Sequence, residues 1–283
     1  MKNLNMVIKR DPALLYLDIM KKALSFSLWE EAGIPIEVFN YKRSLLKRLF
    51  VYTLSRLLRL AGLRIYKELN VSEEQKYEGM VWPMKADTMI GLKRLDNIQF
   101  CVENVLKDNI QGDLIETGVW RGGACIFMRA ILAAYGITDR RVFVADSFEG
   151  LPKPDEKEYP QDKEDKLWIE RFLSVSKEEV ENNFRRYGLL DEQVVFLKGW
   201  FKDTLPSAPI EKLSVMRLDG DMYQSTMESL TYLYPKLSDG GYCIIDDYSL
   251  KGCKAAVDDF RAKNGIKNTL CRIDWTGVYW RKE

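Results

Sequence analysis

Histidine is absent from the 283 residues of this chain. This side chain is the commonest general base near neutral pH and a frequent ligand of zinc, copper and iron. Its absence excludes Ser-His-Asp and Cys-His hydrolases and metal centres held by histidine. Acid–base chemistry in this protein therefore falls to aspartate, glutamate, lysine, tyrosine or cysteine.

Other features are also scarce. The five cysteines are scattered and form no Cys-x-x-Cys pair, which indicates reduced thiols and no zinc site. No run of about eighteen apolar residues occurs, and Met1 to Arg10 lacks the pattern of a secretory signal. The formal net charge of +1 lacks the basic excess of a general nucleic-acid binder. We expect a cytoplasmic protein with no nucleic-acid partner.

Two acidic clusters, Leu218 to Asp221 and Ile244 to Tyr248, each follow an apolar run. The runs predict strands at Val215 to Leu218 and Tyr242 to Ile245, joined by a helix at Tyr223 to Leu237. Such a unit is right-handed and parallel, so both strands end at one edge of the sheet. A single aspartate there is commonly a helix cap or turn residue, but converging carboxylates favour a hard cation such as Mg²⁺. The four carboxylates belong to Asp219, Asp221, Asp246 and Asp247.

A glycine-rich turn, Glu116 to Gly123, lies between a predicted strand at Asp113 to Glu116 and a predicted helix at Ala124 to Tyr135. Glycines there let a ligand approach the backbone near a helix N-terminus, although a simple tight turn explains them equally well. Asp146 ends the next predicted strand, Val142 to Ala145, where an acidic side chain can bind ribose hydroxyls. The dinucleotide spacing and the P-loop are both absent. The combination favours a nucleoside ligand without phosphate, such as S-adenosylmethionine.

The rest of the chain continues the alternation of helices and strands. This order predicts a doubly wound α/β sheet with helices on both faces, and Leu151 to Ser174 is a long loop of the kind that carries function or is disordered. Further helices are predicted at Pro12 to Ala32, Trp82 to Phe100, Lys177 to Tyr187 and Lys254 to Lys263, and further strands at Val194 to Leu197, Thr269 to Ile273 and Gly277 to Trp280.

The stretch Tyr41 to Lys67 is basic, contains no acidic residue and is interleaved with leucine. A basic amphipathic helix can lie on an anionic membrane surface or bind an acidic partner. The alternative is a lid or dimer contact whose basic face is solvated. Because the apolar positions do not resolve into one clean stripe, the second interpretation is favoured.

Six stretches of the chain resemble the macrocin O-methyltransferase family, metal-dependent enzymes that methylate sugar hydroxyls of antibiotics. The resemblance runs from about Trp82 to the C-terminus. It implies a Class I methyltransferase fold, Rossmann-like, with the last strand antiparallel, in residues 79–283. It also implies an N-terminal helical lid or oligomerisation region in residues 1–78, and a homo-oligomer. The stretches are Asp87 to Asn97, Glu116 to Gly123, Asp146 to Pro152, Lys198 to Pro206, Leu218 to Tyr223 and Asp246 to Tyr248.

The resemblance also implies residue roles, with S-adenosylmethionine and Mg²⁺ as cofactors. Asp219, Asp246 and Asp247 match the metal ligands, and Asp221 matches the general base. The predicted cofactor contacts are Met89, Ile90, Glu116, Thr117, Gly118, Val119, Trp120, Arg121, Asp146, Ser147, Phe148, Glu149, Gly150, Gly199 and Trp200.

The expected reaction is methyl transfer to a sugar hydroxyl of a glycosylated natural product, glycolipid or polysaccharide precursor. One alternative is a catechol-type O-methyltransferase, which has the same fold and a metal that binds vicinal oxygens. Another is a phosphate-ester hydrolase that uses the aspartates. An inactive scaffold that retains the fold is a third. The Leu-Asp-Gly-Asp motif at Leu218 to Asp221 favours the enzyme directed at sugars.

Overall fold

The structure is a computed structural model that describes residues 11–29, 33–36, 44–67, 72–81 and 84–283. Several predicted features lie partly or wholly outside these residues. They are the start Met1 to Arg10, the first residues of the basic stretch from Tyr41, and the helix start predicted at Trp82. The prediction of a helix from Pro12 to Ala32 is wrong at its end, because the helix stops at Leu24 with Ser25 as its cap.

The described elements alternate as the sequence predicts. The helices are α1 (Pro12–Leu24), α2 (Leu45–Leu60), α3 (Glu73–Tyr77), α4 (Leu92–Lys107), α5 (Gly123–Ala134), α6 (Lys177–Arg186), α7 (Phe201–Thr204), α8 (Tyr223–Leu233) and α9 (Lys251–Lys263). The strands are β1 (Ile34–Pro35), β2 (Tyr66–Lys67), β3 (Asp113–Thr117), β4 (Val142–Asp146), β5 (Val194–Lys198), β6 (Leu213–Leu218), β7 (Leu237–Ile245), β8 (Cys271–Arg272) and β9 (Val278–Arg281).

The main sheet has seven strands in the order β5-β4-β3-β6-β7-β9-β8. Strands β5, β4, β3, β6 and β7 are parallel, and β9 is antiparallel to β7. The chain starts in the middle of the sheet at β3, moves outward to β5 and returns to β6. This confirms the predicted doubly wound Class I fold with an antiparallel last strand.

The core lies on both faces of this sheet. Alternate residues of each strand point to opposite sides, so Leu114 and Val144 face α4, α5 and α6, whereas Ile115 and Phe143 face α8 and α9. Helix α1 joins the first layer, where its Leu17 and Leu24 are fully buried. The first part of the predicted N-terminal region therefore shares the core of the sheet domain, and the boundary at residue 78 stays a prediction.

The prediction of a helix over Trp82 to Phe100 is wrong in its limits. Helix α4 begins at Leu92, after an extended Gly91, and continues to Lys107. Before it, the backbone bonds other elements: Asp87 donates to the carbonyl of Leu24 at 2.8 Å and accepts from the N–H of Gly123 at 3.0 Å. These contacts compete with helix formation. The spacing of apolar residues along the sequence could not reveal these contacts.

The exposed apolar residues of α2 include five at helical spacing along one side, while Leu45 and Tyr52 lie outside that row. Val51 and Ser55 are the buried residues of α2, and they share one side of the helix. Large apolar side chains at helical spacing on the other side are exposed. We call these five residues the α2 stripe: Leu46, Leu49, Phe50, Leu57 and Leu60.

Within the described ranges, no helix has both the length and the apolar character needed to cross a bilayer.

Candidate active site

A cleft of about 350 Å³ opens at the carboxyl ends of β3, β4 and β6. Parallel strands bring their ends to one edge, and the register aligns Thr117 of β3 with Leu218 of β6, and Leu218 with Ile245 of β7. Ligands of open α/β sheets bind at this edge. The predicted residues that line the cleft are Met89, Gly118, Trp120, Asp146, Ser147, Gly150, Gly199, Trp200, Asp219 and Asp221.

The glycine turn is held by the end of the neighbouring strand β4. Gly118 has φ +81° and donates its N–H to the carbonyl of Ala145 at 2.9 Å. The N–H of Val119 donates to Asp146 Oδ2 at 2.7 Å, and the N–H of Phe148 donates to Oδ1 of the same carboxylate at 2.7 Å. Burial raises the pKa of Asp146, while these N–H groups oppose that rise. Asp146 thus fixes the turn as well as facing the cleft.

The structure does not bring every predicted cofactor contact to the cleft wall. Glu116 and Thr117 are buried beneath it, and the Arg121 guanidinium donates to the carbonyls of Met84 and Ala86, at 2.7 and 2.8 Å. Their cofactor contacts stay predictions. The other predicted contacts that do not line the cleft are Ile90, Val119, Phe148 and Glu149.

Three of the four predicted aspartates form one group. Ligand oxygens of Asp219, Asp221 and Asp247 all lie within 4.8 Å of one another. The N–H of Asp221 donates to Asp247 Oδ2 at 3.2 Å, and Asp221 has φ +56°. A non-glycine residue with positive φ is strained and persists where its surroundings determine it. We call Asp219, Asp221 and Asp247 the carboxylate group.

The carboxylate group holds its protons more tightly than isolated aspartates do. Burial, followed by repulsion from Asp246, raises the pKa of Asp219 to about 6. Burial, followed by repulsion from Asp219, raises the pKa of Asp221 well above the ordinary value. Burial, followed by repulsion from Asp221, does the same for the pKa of Asp247. The side chain of Asp219 nevertheless keeps 27% of its exposure, so a ligand can reach it from the cleft.

The fourth aspartate, Asp246, lies outside the carboxylate group. Its Oδ2 accepts a hydrogen bond from Arg94 Nη1, and its Oδ1 accepts one from Arg217 Nη2. The predicted convergence of four aspartates is therefore wrong for the carboxylate of Asp246. The strand ends converge as expected, but two buried arginines turn this side chain toward themselves.

Sequence reasoning missed both arginines. Arg217 stands in a strand that is buried along its whole length, and a charged residue within such an apolar run was the available signal. Arg94 comes from α4, 152 residues before its partner Asp246, and no local pattern indicates that contact.

Asp162 was also missed. It lies in the long loop, is only 2% exposed, and accepts from the N–H groups of Tyr223 and Gln224 at 2.7 and 3.0 Å. These are the first residues of α8, so Asp162 caps this helix from a distant part of the chain. Further cleft residues that were not predicted are Leu151, Pro152, Lys153, Asp155, Glu158, Leu173, Phe201, Lys202, Gly220, Gln224, Ser225 and Glu228.

The fold agrees with comparisons to known proteins. The family model described as Macrocin-O-methyltransferase (TylF) matches residues 13–282. A demethyldecarbamoylnovobiocin O-methyltransferase of Streptomyces niveus is 49% identical over 272 residues, covering 95% of this chain and 93% of the relative. A mycinamicin III 3''-O-methyltransferase of Micromonospora griseorubida is 46% identical over 271 residues, covering 95% and 96%.

Solved structures give the same result. The O-methyltransferase NovP has a TM-score of 0.81 at 48% identity, over 95% of this chain and 99% of that chain. The calicheamicin methyltransferase CalS11 has a TM-score of 0.55 at 19% identity, over 67% of this chain and 79% of that chain, and shows a likeness of fold alone. This chain belongs to the macrocin O-methyltransferase family and is an S-adenosylmethionine-dependent O-methyltransferase.

Proposed function

We propose that this enzyme methylates a hydroxyl of a sugar carried by a glycosylated natural product, a glycolipid or a polysaccharide precursor, in a reaction that depends on Mg²⁺. The observation that supports the proposal most strongly is the carboxylate group, whose ligand oxygens lie within 4.8 Å of one another. It shares its cleft with Gly118 and Asp146 of the glycine turn.

The chemistry of the donors fits a hard divalent cation. Mg²⁺ prefers carboxylate oxygens and retains several water molecules, which a vicinal pair of sugar oxygens can replace. Asp219 and Asp247 would hold the ion. Asp246, which the family resemblance also implies as a ligand, stays a proposal. Each of its oxygens keeps a second lone pair beyond the one that accepts from an arginine, but its carboxylate must move to share an ion with the carboxylate group. When bound, Mg²⁺ supplies a Lewis acid that lowers the pKa of an acceptor hydroxyl.

Asp221 is the proposed general base. It lines the cleft, and its raised pKa makes it a stronger base than an ordinary aspartate. The hydroxyl proton passes to Asp221 as the substrate oxygen bonds the methyl carbon and the carbon–sulfur bond of the donor breaks. Gly118 and Asp146 would fix the donor, so that positioning supplies much of the acceleration.

The relatives support a sugar as the acceptor. Their names describe methylation of demethyldecarbamoylnovobiocin in one case and of a rhamnosyl tetracenomycin in another, the latter from an enzyme of Streptomyces olivaceus that is 48% identical over 268 residues. We extend from them only the class of acceptor, a hydroxyl on a glycoside. The panel of glycosides described in the Discussion would identify the sugar that this enzyme uses.

We further propose a cytoplasmic homo-oligomer whose N-terminal helical region, residues 1–78, contributes to assembly or to covering the cleft. The exposed α2 stripe supports a contact of this region with a second copy or with an anionic membrane surface. Light scattering measures the first contact, and flotation with anionic vesicles measures the second. A monomer that does not float with vesicles would contradict both.

The test of the proposed function is isothermal titration with S-adenosylmethionine and with MgCl₂, on the wild-type protein and on Asp219→Ala. We expect both ligands to bind the wild type and only S-adenosylmethionine to bind the variant. Tight Mg²⁺ binding by Asp219→Ala would reject the proposed metal site.

A further inference from the structure

Two buried arginines lie directly behind the carboxylate group. Arg217 is 1% exposed and Arg94 is 7% exposed. Arginine is seldom buried unless it is paired, and each buried charge costs free energy that its partners must offset. Their contacts therefore indicate what these two side chains contribute.

Arg217 joins three strands through one guanidinium. Its Nη1 donates to Glu116 on β3 and, at 3.0 Å, to Asp219 Oδ2 after β6, and its Nη2 donates to Asp246 after β7. Among ion pairs of the residues that the structure describes, Arg217–Asp219 is the one that reaches the carboxylate group. Asp219 is thus held by Arg217, and its side chain also hydrogen-bonds that of Asp247.

Arg94 completes the arrangement from the other side. Its Nε donates to Asp274 at 2.5 Å, its Nη2 to Thr276 Oγ1 at 2.5 Å, and its Nη1 to Asp246. The Thr276 hydroxyl also donates to the backbone carbonyl of Asp246 at 2.7 Å. A continuous chain of contacts therefore runs from Arg94 through Asp246 and Arg217 to Asp219.

The nitrogen Nε of Arg217 is buried and has no hydrogen-bond partner within the described residues. A buried donor without a partner costs free energy. Arg129 Nη1 and Arg261 Nη1 share this feature outside the cleft, so it does not by itself distinguish Arg217. What distinguishes Arg217 is that its terminal nitrogens donate to three carboxylates at the ends of neighbouring strands.

We propose that Arg217 and Arg94 are positioning residues for the metal site. Arg217 fixes the plane of Asp219, and Arg94 holds Asp246 against Arg217, so that the carboxylate group is arranged before the cation arrives. This inference rests on the proposed Mg²⁺ dependence. A purely electrostatic role predicts no loss of Mg²⁺ affinity when lysine keeps the charge, because the effect of a positive charge behind the site is to repel a cation.

The test compares Mg²⁺ binding by wild type, Arg217→Lys and Arg94→Lys. Lysine keeps the positive charge but, as a single ammonium group, cannot hold two carboxylates in the planar geometry of a guanidinium. Loss of groups that orient metal ligands typically weakens metal affinity by about 10–100-fold. We expect that loss for Mg²⁺ in both variants by isothermal titration. In Arg94→Lys, whose native side chain bonds no predicted cofactor contact, S-adenosylmethionine affinity in EDTA should stay within about twofold of wild type.

Arg129→Lys is the matched control. Arg129 is also 7% exposed and pairs with Asp191, with Nη2 2.5 Å from Oδ2, but it lies on α5 and does not line the cleft. Thermal unfolding shows which variants fold. If Arg217→Lys does not fold, the Mg²⁺ affinity of Arg94→Lys tests the inference. Unchanged Mg²⁺ affinity in the folded variants, or an equal loss in Arg129→Lys, would overturn the inference. Wild-type protein that does not bind Mg²⁺ would reject the proposed metal site itself.

Discussion

Gly118 lies against the backbone carbonyl of Asp219, and a Cβ atom at position 118 would stand 1.7 Å from that oxygen. The glycine turn therefore contacts the carboxylate group directly, through the backbone of Asp219. This contact places the proposed donor site beside the proposed metal site with no side chain between the two backbones.

Gly118→Ala should disrupt both sites. Its φ of +81° strains any L-residue, and the new methyl group would displace the backbone of Asp219. We expect a loss of about 2–5 kcal/mol in the free energy of unfolding, from strain and overpacking together, with loss of S-adenosylmethionine binding. Denaturant unfolding and titration measure these effects.

Gly136→Ala is the control for that substitution. Gly136 has φ +65° but no atom within 4 Å of a new Cβ, so only the strain of about 1–2 kcal/mol remains. Equal effects of the two substitutions would show that the close contact at Gly118 has no importance.

Asp221→Asn should remove turnover and spare binding. The amide cannot accept the hydroxyl proton, so kcat should fall by about 100- to 10,000-fold. Calorimetry should show S-adenosylmethionine and Mg²⁺ still bound. Asp203 is exposed and does not line the cleft, so Asp203→Asn should keep the kcat of the wild type. Retained turnover in Asp221→Asn would refute its assignment as the base.

The pH dependence of metal binding follows from the raised pKa values. The pKa of Asp219 is about 6 in the folded protein against an ordinary 3.8, so between these values the folded state binds more protons than the unfolded state. In the metal-free protein this group therefore makes folding less favourable as pH rises through that window. Mg²⁺ competes with those protons, so its affinity should rise with pH.

Thermal unfolding with and without MgCl₂ checks this expectation. The increase in Tm that Mg²⁺ produces should be larger at about pH 7.5 than at about pH 5, because protons compete at the lower pH. Asp219→Asn should lose most of the increase at both pH values. An equal increase at both pH values in the wild type would contradict the account.

Asp162→Ala should loosen the long loop on the cleft. The carboxylate caps α8 through two N–H groups, so its loss should cost about 0.5–2 kcal/mol of stability. Because Leu151, Asp155 and Leu173 of the same loop line the cleft, the KM of the acceptor should also rise.

Ser176→Ala is the matched change for that cap. Ser176 accepts from the N–H of Glu179 at 3.2 Å at the start of α6 and does not line the cleft. It should lower stability by a similar amount without changing the KM of the acceptor. An unchanged KM in Asp162→Ala would show that the cap does not position the loop.

The sequence predicts the frame of the site well because that frame follows from local pattern and chain topology. The apolar runs before Asp219 and Asp247, with one helix between them, are sufficient to bring these side chains to one edge. The doubly wound order follows from the same alternation. The glycine turn and Asp146 are found in the same way.

Contacts between distant segments could not be predicted in this way. Asp246 accepts hydrogen bonds from arginines of α4 and β6, and nothing in the sequence around Asp246 indicates these partners. The start of α4 is set by backbone bonds of Asp87 to α1 and α5.

Methyl transfer tests the central claim most directly. The purified enzyme would receive S-adenosylmethionine with a labelled methyl group and a panel of glycosides, first in EDTA and then with excess MgCl₂. The account predicts label on a glycoside only when Mg²⁺ is present, and none with Asp219→Ala. Transfer that EDTA leaves unchanged would contradict it.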